Sequence, residues 1–177
     1  MLLSDKISLA IRDVKDYPKS GIVFKDITPV LADPALVKLI VAEMASKLQD
    51  KRIDAIAAVE ARGFIFGGML AHALGCRFIP VRKAGKLPYN RVSREYDLEY
   101  GKSVVEMHSD SVMPGWRVLV HDDLLATGGT AGAAASLIQE LGGEIAGFSF
   151  LVNLSFLPGE KNIIERFGVK PDYMVTY

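Results

Sequence analysis

The segment of residues 118–141 constrains the fold of this chain more than any other. It begins with the aliphatic run Val118–Val120, passes through His121 and two adjacent aspartates, and continues as a Thr/Gly loop into an alanine-rich stretch. The aliphatic run is typical of a buried strand, and residues 130–141 are a predicted helix that ends at Gly142-Gly143. A strand, a tight loop and a helix in succession are the building unit of a parallel sheet.

Other parts of the chain repeat this alternation of strand and helix. Asp54–Val59 and Arg77–Val81 are predicted strands, and Phe64–Leu74 between them is a predicted helix that ends at Gly75. The remaining predicted elements are a helix over Asp5–Val14 capped by Ser4, a helix from Asp33-Pro34 to Gln49, a loop over Leu124–Gly129, and strands at Arg94–Leu98, Lys102–Met107, Ile145–Leu151 and Tyr173–Thr176.

The alternation predicts an α/β fold in which a parallel, twisted sheet is flanked by helices through right-handed crossovers. Ligands of such sheets bind at the carboxyl ends of the strands. The two strand-like segments on either side of Tyr100-Gly101 predict an antiparallel hairpin. Because no internal repeat, flexible linker or like-charge block divides the sequence, we expect residues 1–177 to form one domain.

Composition excludes several classes of function. The chain has 21 Lys and Arg residues and 21 Asp and Glu residues, so whole-protein attraction to nucleic acid or to an anionic membrane is not expected. No apolar run reaches the roughly 18 to 20 residues of a membrane span, and no signal-peptide core follows Met1, so we expect a cytoplasmic protein. The single cysteine, Cys76, excludes an internal disulfide and a cysteine-based zinc site.

The loop after the predicted strand carries the groups that hold a sugar phosphate. The adjacent carboxylates of Asp122-Asp123 repel one another, so ribose hydroxyls or Mg²⁺ are expected to compensate them. Gly128-Gly129 allows the backbone to approach an anion, Thr127 and Thr130 supply hydroxyls, and the following helix presents free N–H groups. No lysine lies near the loop, which excludes a P-loop.

The stretch Asp122–Thr130, with the sequence DDLLATGGT, resembles the signature by which type I phosphoribosyltransferases bind phosphoribosyl pyrophosphate (PRPP), in the form typical of members that act on adenine. The similarity extends over nearly the whole chain, in the same order, through Gly21–Val30, Glu60–Phe64, Arg82–Pro88 and Leu98–Gly101. It implies the type I phosphoribosyltransferase fold, with a small base-binding hood from residues 1–33 and an antiparallel flexible-loop hairpin.

The resemblance also implies a reaction. In purine salvage, the 5-phosphoribosyl group moves from PRPP to adenine, giving AMP and pyrophosphate. The displacement passes through an oxocarbenium-like state at the anomeric carbon, which nearby carboxylates stabilise electrostatically. Mg²⁺ is the implied cofactor, held mainly by PRPP and water rather than directly by the protein. A homodimer is implied as well, with no nucleic-acid or membrane partner.

Residue roles for PRPP follow from the matched motifs. The resemblance implies that Asp122 and Asp123 hold the ribose hydroxyls, and that the loop Ala126–Thr130 binds the 5′-phosphate through Ala126, Thr127, Gly128, Gly129 and Thr130. It implies a non-proline cis peptide at Glu60–Ala61. The implied pyrophosphate-binding residues are Ala61, Arg62, Gly63, Arg82 and Lys86. The last two belong to a run of six cations and no acid over residues 77–94, in which Arg91 and Arg94 have no assigned role.

The segment Val23–Lys25 is the implied adenine site. Phe24 offers a ring for stacking, and the backbone of Val23 and Lys25 can present the carbonyl and N–H that an amino-purine edge requires. Leu124 is expected to cover the other face of the base. A 6-oxo purine would place an acceptor against the carbonyl, which predicts discrimination by about 1–3 kcal/mol per mismatch.

Glu99 and Tyr100 match the catalytic loop of the family. The resemblance implies that Glu99 takes the proton from adenine and that Tyr100 shapes the closed loop. His121 departs from the aliphatic pattern of the family, and we expect a structural role for it. Two alternatives stay open: a phosphoribosyltransferase for another purine base, or a non-catalytic PRPP-sensing regulator that binds DNA or a protein.

Overall fold

A computed structural model of the chain describes residues 1–97 and 101–177. The strands of these residues are β1 (Arg12–Lys15), β2 (Val23–Asp26), β3 (Ala55–Val59), β4 (Arg77–Lys83), β5 (Arg91–Asp97), β6 (Lys102–His108), β7 (Arg117–Leu125), β8 (Glu144–Asn153) and β9 (Asp172–Thr176). The helices are α1 (Leu3–Ala10), α2 (Thr28–Leu31), α3 (Pro34–Ser46), α4 (Gly63–Leu74), α5 (Gly129–Glu140) and α6 (Gly159–Phe167). None of the described helices is long and apolar enough to cross a membrane.

Seven of the described strands form one mixed sheet in the order β5-β6-β4-β3-β7-β8-β9. β4, β3, β7, β8 and β9 are parallel, and β6 pairs with β4 antiparallel, so the hairpin β5–β6 extends one edge. The predicted α/β fold and its antiparallel hairpin are therefore confirmed. In the central strand β3 every residue is buried, as expected of a parallel strand covered on both faces.

Alternate residues of the central strands pack into two cores on opposite faces of the sheet. Ala57 of β3 and Val120 of β7 lie in the core that contains α5. Ala58 and Leu119, their neighbours along the chain, lie in the core that contains α3 and α4. Because both faces are covered by helices, the polar loops are left at the strand ends, where the functional motifs lie.

The N-terminal region differs from the prediction. The predicted helix over Asp5–Val14 is wrong beyond Ala10, because residues 12–15 form β1, which pairs antiparallel with β2 in a separate two-stranded sheet. Two cross-strand ion pairs stabilise this pairing: Arg12 Nη2 lies 2.5 Å from Asp26 Oδ2, and Lys25 Nζ lies 2.7 Å from Asp13 Oδ1. Ser4 lies within α1 and does not cap it.

Other boundaries are closer to the prediction. Asp33 caps α3 by accepting hydrogen bonds from two backbone N–H groups, and Gly75 ends α4 with a left-handed φ of 63°. The predicted loop over Leu124–Gly129 begins later than expected, because β7 continues to Leu125 through pairing with β8. The helix α6 was not predicted, although Gly168 ends it with a φ of 68°.

Helix α4 packs unusually close to the sheet at one glycine. A Cβ built on Gly67 would lie 2.6 Å from Cβ of Ala58 in β3 and 3.3 Å from Cδ2 of His121 in β7. Gly68, the next residue of the same helix, has no atom within 4 Å of its Cβ position. The two glycines therefore differ in packing but not in secondary structure.

We expect Gly67→Ala to lower the free energy of unfolding by about 1–3 kcal/mol, because the added methyl overpacks the contact between α4 and β3. The matched variant Gly68→Ala is expected to raise it by about 0.5–1 kcal/mol, since alanine favours a helix interior. Urea denaturation of both variants beside the wild type measures the difference. Equal stability of the two variants would contradict the close approach of α4.

Candidate active site

The three loops predicted to bind PRPP meet at one edge of the sheet. β3 lies between β4 and β7 and runs parallel to both, so the segments after the three strands emerge side by side. They are Glu60–Gly63 after β3, the residues around Lys86 after β4, and the loop Ala126–Gly128 after β7. The sheet therefore brings together motifs that are more than 60 residues apart in the sequence.

The predicted phosphate loop surrounds a small cavity of about 70 Å³. Asp122, Leu124, Leu125, Phe150 and residues 126–131 line it. Gly128 has a left-handed φ of 80° immediately before α5 begins, so the turn aims the amino end of the helix at the cavity. A backbone cradle at a helix amino end, with threonine hydroxyls beside it, is suited to a phosphate monoester.

Helix α6 supports this loop from behind. Asn162 Nδ2 donates a hydrogen bond to the carbonyl oxygen of Thr127 at 2.9 Å, and a Cβ on Gly128 would lie 3.1 Å from the carbonyl oxygen of Gly159. Sequence reasoning missed Gly159 and Asn162, because they lie more than 30 residues from the loop and no motif includes them.

The two aspartates at the end of β7 stand close together, and Asp123 is buried while Asp122 is half-buried. Asp122 Oδ1 accepts the backbone N–H of Asp123 at 2.8 Å, and the Asp123 side chain is only 6% exposed. Asp123 Oδ2 forms an ion pair with Arg62 Nε at 2.9 Å. Burial raises the pKa of Asp122, and the neighbouring Asp123 charge raises it further. Burial also raises the pKa of Asp123, although the Arg62 charge opposes the shift.

These raised pKa values have a defined consequence for stability. An unfolded aspartate has a pKa of about 3.9, so the folded chain binds more protons than the unfolded chain between that value and the higher folded pKa. Stability therefore falls as the pH rises through this window. Above this window the ionised pair destabilises the empty protein, and hydroxyl donors of a bound sugar would offset that cost.

Arg62 connects the acid pair to the predicted base site. Its Nε lies beside Asp123, and its Cζ lies 4.9 Å from the ring centroid of Phe24 in β2. The Phe24 ring also makes an edge contact with Tyr17 at a centroid distance of 5.2 Å. Phe24 is half-buried, so part of its surface remains accessible. The hairpin β1–β2 therefore places the predicted stacking residue next to the predicted ribose site.

Among the other predicted base-site residues, Val23 is exposed, whereas the side chain of Lys25 is engaged by other residues. Lys25 Nζ pairs with Asp13 and lies 3.8 Å from the ring centroid of Tyr177. Its side chain is engaged, which fits the prediction that Val23 and Lys25 act through their backbone. Leu124 is half-buried at the edge of the core beneath α4.

The predicted pyrophosphate residues form a connected group. The peptide bond Glu60–Ala61 is cis, as the resemblance implied. Glu60 Oε2 accepts from Arg82 Nε at 2.7 Å, and its Oε1 accepts the backbone N–H of Lys83 at 2.8 Å. Burial raises the pKa of Glu60, but the bonds from Lys83 and Arg82 outweigh it and leave that pKa lowered. Arg82 Nη1 also donates to the carbonyl oxygen of Lys86 at 3.0 Å.

Two carboxylates that sequence reasoning missed organise this region. Glu60 holds Arg82, a role that its place in the matched segment Glu60–Phe64 did not indicate. Glu106, in β6, is 5% exposed and accepts the backbone N–H of Gly85 at 3.0 Å. It also lies 3.0 Å from Arg91 Nε. Glu106 therefore ties the hairpin β5–β6 to the loop that carries Lys86.

The two predicted catalytic-loop residues, Glu99 and Tyr100, lie outside the described residues, so their roles stay predictions. The described strands on either side are β5, which ends at Asp97, and β6, which begins at Lys102. His121 is fully buried next to α4, and burial lowers its pKa to about 4 despite a small opposing effect of the Ser149 backbone. Its imidazole is therefore neutral at pH 7.

Comparison with known proteins gives a consistent result. Residues 28–175 match the model of the phosphoribosyl transferase domain. The chain is 51% identical over 162 residues to an adenine phosphoribosyltransferase of Cytophaga hutchinsonii. These residues are 92% of this chain and 90% of that protein. An adenine phosphoribosyltransferase of Clostridium perfringens is 52% identical over 163 residues, with 92% of both chains covered.

Solved structures agree in fold over the whole chain. The crystal structure of adenine phosphoribosyltransferase from Thermoanaerobacter pseudethanolicus has a TM-score of 0.94 and 46% identity, and the match covers 99% of this chain and 100% of that one. The enzyme from Giardia lamblia, crystallised with 9-deazaadenine, has a TM-score of 0.94 and 32% identity, with 100% and 98% covered. This chain belongs to the adenine phosphoribosyltransferases of the type I phosphoribosyltransferase family.

Proposed function

We infer that this chain is a purine-salvage enzyme that transfers the 5-phosphoribosyl group of PRPP to adenine, forming AMP and pyrophosphate. One observation carries the assignment to this site: Arg62 lies between the Asp123 carboxylate and the Phe24 ring, next to the phosphate loop. A base site, a ribose site and a phosphate site therefore adjoin in the order that the atoms of AMP require. The Giardia lamblia relative, which binds 9-deazaadenine, supports a purine at the base position.

The chemistry proposed for the acid pair is electrostatic. Adenine N9 bonds to the anomeric carbon while the bond from that carbon to the pyrophosphate oxygen breaks, and positive charge develops on the ribose ring. Asp122 and Asp123 would accept hydrogen bonds from the ribose hydroxyls and stabilise this charge in a site with little water. The 5′-phosphate would sit on Ala126, Thr127, Gly128, Gly129 and Thr130, with α5 behind it.

The leaving pyrophosphate is assigned to the loop after β3 and the basic loop after β4. Ala61–Gly63 offers backbone N–H groups near the start of α4, and Arg62 offers a guanidinium. Arg82 and Lys86 add two cations, and Glu60 holds Arg82 in place. The Mg²⁺ expected to arrive with PRPP would be held mainly by PRPP and water, and the carboxylates of Asp122 and Asp123 beside this loop can accept hydrogen bonds from its water ligands. Bound Mg²⁺ would neutralise charge on the departing pyrophosphate.

The base site is proposed on the hairpin β1–β2. Phe24 would stack on adenine, Leu124 would cover the other face, and the backbone of Val23 and Lys25 would pair with the amino-purine edge. Glu99 would take the N9 proton and Tyr100 would help to enclose the site. Residues 1–33 would thus act as the hood of one phosphoribosyltransferase domain that spans residues 1–177.

The base specificity of AMP formation tests this function. Incubation with PRPP and Mg²⁺ should give AMP and pyrophosphate from adenine, with hypoxanthine, guanine and xanthine slower by about 10-fold or more, since each leaves a buried polar group unpaired. Chromatography of the nucleotide products measures the rate of transfer to each of the four bases. Turnover of another base instead would overturn the assignment of Val23–Lys25. PRPP binding without turnover of any base would favour the regulator.

We propose that the homodimer forms through an apolar groove between α3 and α4. The groove has a volume of about 600 Å³ and is lined by Leu31, Pro34, Val37, Lys38, Val41, Ala42, Ile65, Met69, His72 and Ala73. Ile65 and Met69 are 36% and 39% exposed, which is high for large apolar side chains on a helix that begins at the active site. An apolar centre with Lys38 and His72 beside it resembles the anatomy of a subunit interface.

Met69→Glu should therefore convert the dimer into a monomer, because it buries an unpaired charge in the interface. Met113→Glu is the matched control, since Met113 is 56% exposed and lies outside the groove. Sedimentation velocity at micromolar concentration separates the two species. A monomeric wild type, or a Met69→Glu variant that remains dimeric while folded, would contradict this interface.

A further inference from the structure

Strand β5 lies along helix α5 and ends against the phosphate loop. Val92, Arg94 and Tyr96 form its half-buried side, and Val92 and Tyr96 pack on the core that contains α5. A Cβ on Gly129 would lie 3.1 Å from the carbonyl oxygen of Asp97 and 3.2 Å from Cδ2 of Tyr96. The last two residues of β5 therefore rest directly on the first residue of α5, where the 5′-phosphate is proposed to bind.

An ion pair holds β5 to the other end of the same helix. Arg94 Nη2 donates to Glu140 Oε2 at 2.7 Å, and Glu140 is the last residue of α5. Both side chains are about 42–43% exposed, and a cation at this position also complements the carboxyl end of the helix dipole. β5 is thus held at both ends of α5, by the contact at Gly129 and by the pair Arg94–Glu140.

We propose that Arg94 and Glu140 are positioning residues for the transfer reaction: they hold β5 in register with α5 and so align the catalytic loop with the bound 5′-phosphate. The inference rests on the proposed role of Glu99, which follows Asp97 by two residues in the sequence. A shift of β5 along α5 therefore moves the chain that enters this loop, while the phosphate loop at the start of α5 keeps its place.

An exposed ion pair shifts the folding equilibrium by about 5-fold at most, so this pair has little effect on stability. The reaction rate is more sensitive than folding to the position of a catalytic group, because a displacement of about 1 Å in such a group can cost about 100-fold in rate. The pair is therefore expected to affect turnover rather than folding or PRPP affinity. That split separates a positioning role from a merely structural one.

Arg94→Ala and Glu140→Ala should each lower kcat by about 3- to 5-fold, because the loss of an exposed ion pair can shift the population of the aligned register by about that factor. The Kd for PRPP should change by less than about 2-fold, and Tm by less than about 4 °C. The exchanged double variant Arg94→Glu/Glu140→Arg should recover kcat to within about 1.5-fold of the wild type, because the pair forms again in reverse. Unchanged kcat in the single variants, an inactive exchanged variant, or a parallel loss of PRPP affinity would each overturn the proposal.

Lys102→Ala provides the matched control. Lys102 Nζ pairs with Glu95 Oε1 at 2.6 Å on the same hairpin, and both side chains are more than half exposed. Lys102→Ala removes an ion pair within the hairpin and none to α5, so its kcat should stay within about 1.5-fold of the wild type. A loss as large as that of Arg94→Ala would show that any change in the hairpin slows the reaction, and would overturn the role of α5.

A double-mutant cycle with Glu99→Ala separates this proposal from the proposed function. If Arg94 acts through Glu99, Arg94→Ala should have no further effect on kcat in the Glu99→Ala background. Additive losses would overturn the route through the catalytic loop. Wild-type kcat in Glu99→Ala alone would instead remove the proposed role of Glu99, and the positioning role with it.

Discussion

Two adjacent carboxylates at the carboxyl end of β7, one buried and one half-buried, are the constraint on which the rest of the site depends. Their burial opposes ionisation, as the raised pKa values of Asp122 and Asp123 indicate. A fold tolerates such a pair only where partners are held close, and Arg62 from the adjacent loop supplies the opposite charge. The empty protein therefore carries a free-energy cost that the hydroxyls of a bound sugar would relieve, an exchange of stability for function that is common in binding sites.

The parallel sheet makes this arrangement possible by close packing. β3 lies between β4 and β7, so the loop after β3 presses on the end of β7, where a Cβ on Gly63 would lie 2.8 Å from Asp122 Oδ1. Helix α6 and the hairpin β5–β6 then support the phosphate loop from two further sides. The binding segments are irregular, but each is fixed by a strand or helix whose own packing is regular.

Local signals predicted the central α/β units, and the family resemblance indicated most of the residues that meet at the strand ends. Asp33 and Gly75 marked helix ends through backbone chemistry that acts within a few residues, and the aliphatic runs of β3 and β7 marked buried strands. Contacts between distant residues could not be predicted from local patterns. β1 depends on ion pairs with residues 12–14 positions away, Glu106 binds the backbone of Gly85, and Arg94 pairs with Glu140. Helix α6 is only nine residues long and buries Gly159 and Ile163, so few apolar residues marked its inner face.

The most direct test of the buried acid pair is the thermal unfolding midpoint with and without PRPP and Mg²⁺. For the wild type, PRPP at about 100 times its Kd should raise Tm by about 5–10 °C. Without ligand, Asp122→Asn should be at least as stable as the wild type, because it removes a buried charge and can keep the hydrogen bond from the Asp123 N–H. In Asp122→Asn/Asp123→Asn, PRPP should leave Tm unchanged. A shift as large as that of the wild type would contradict the account.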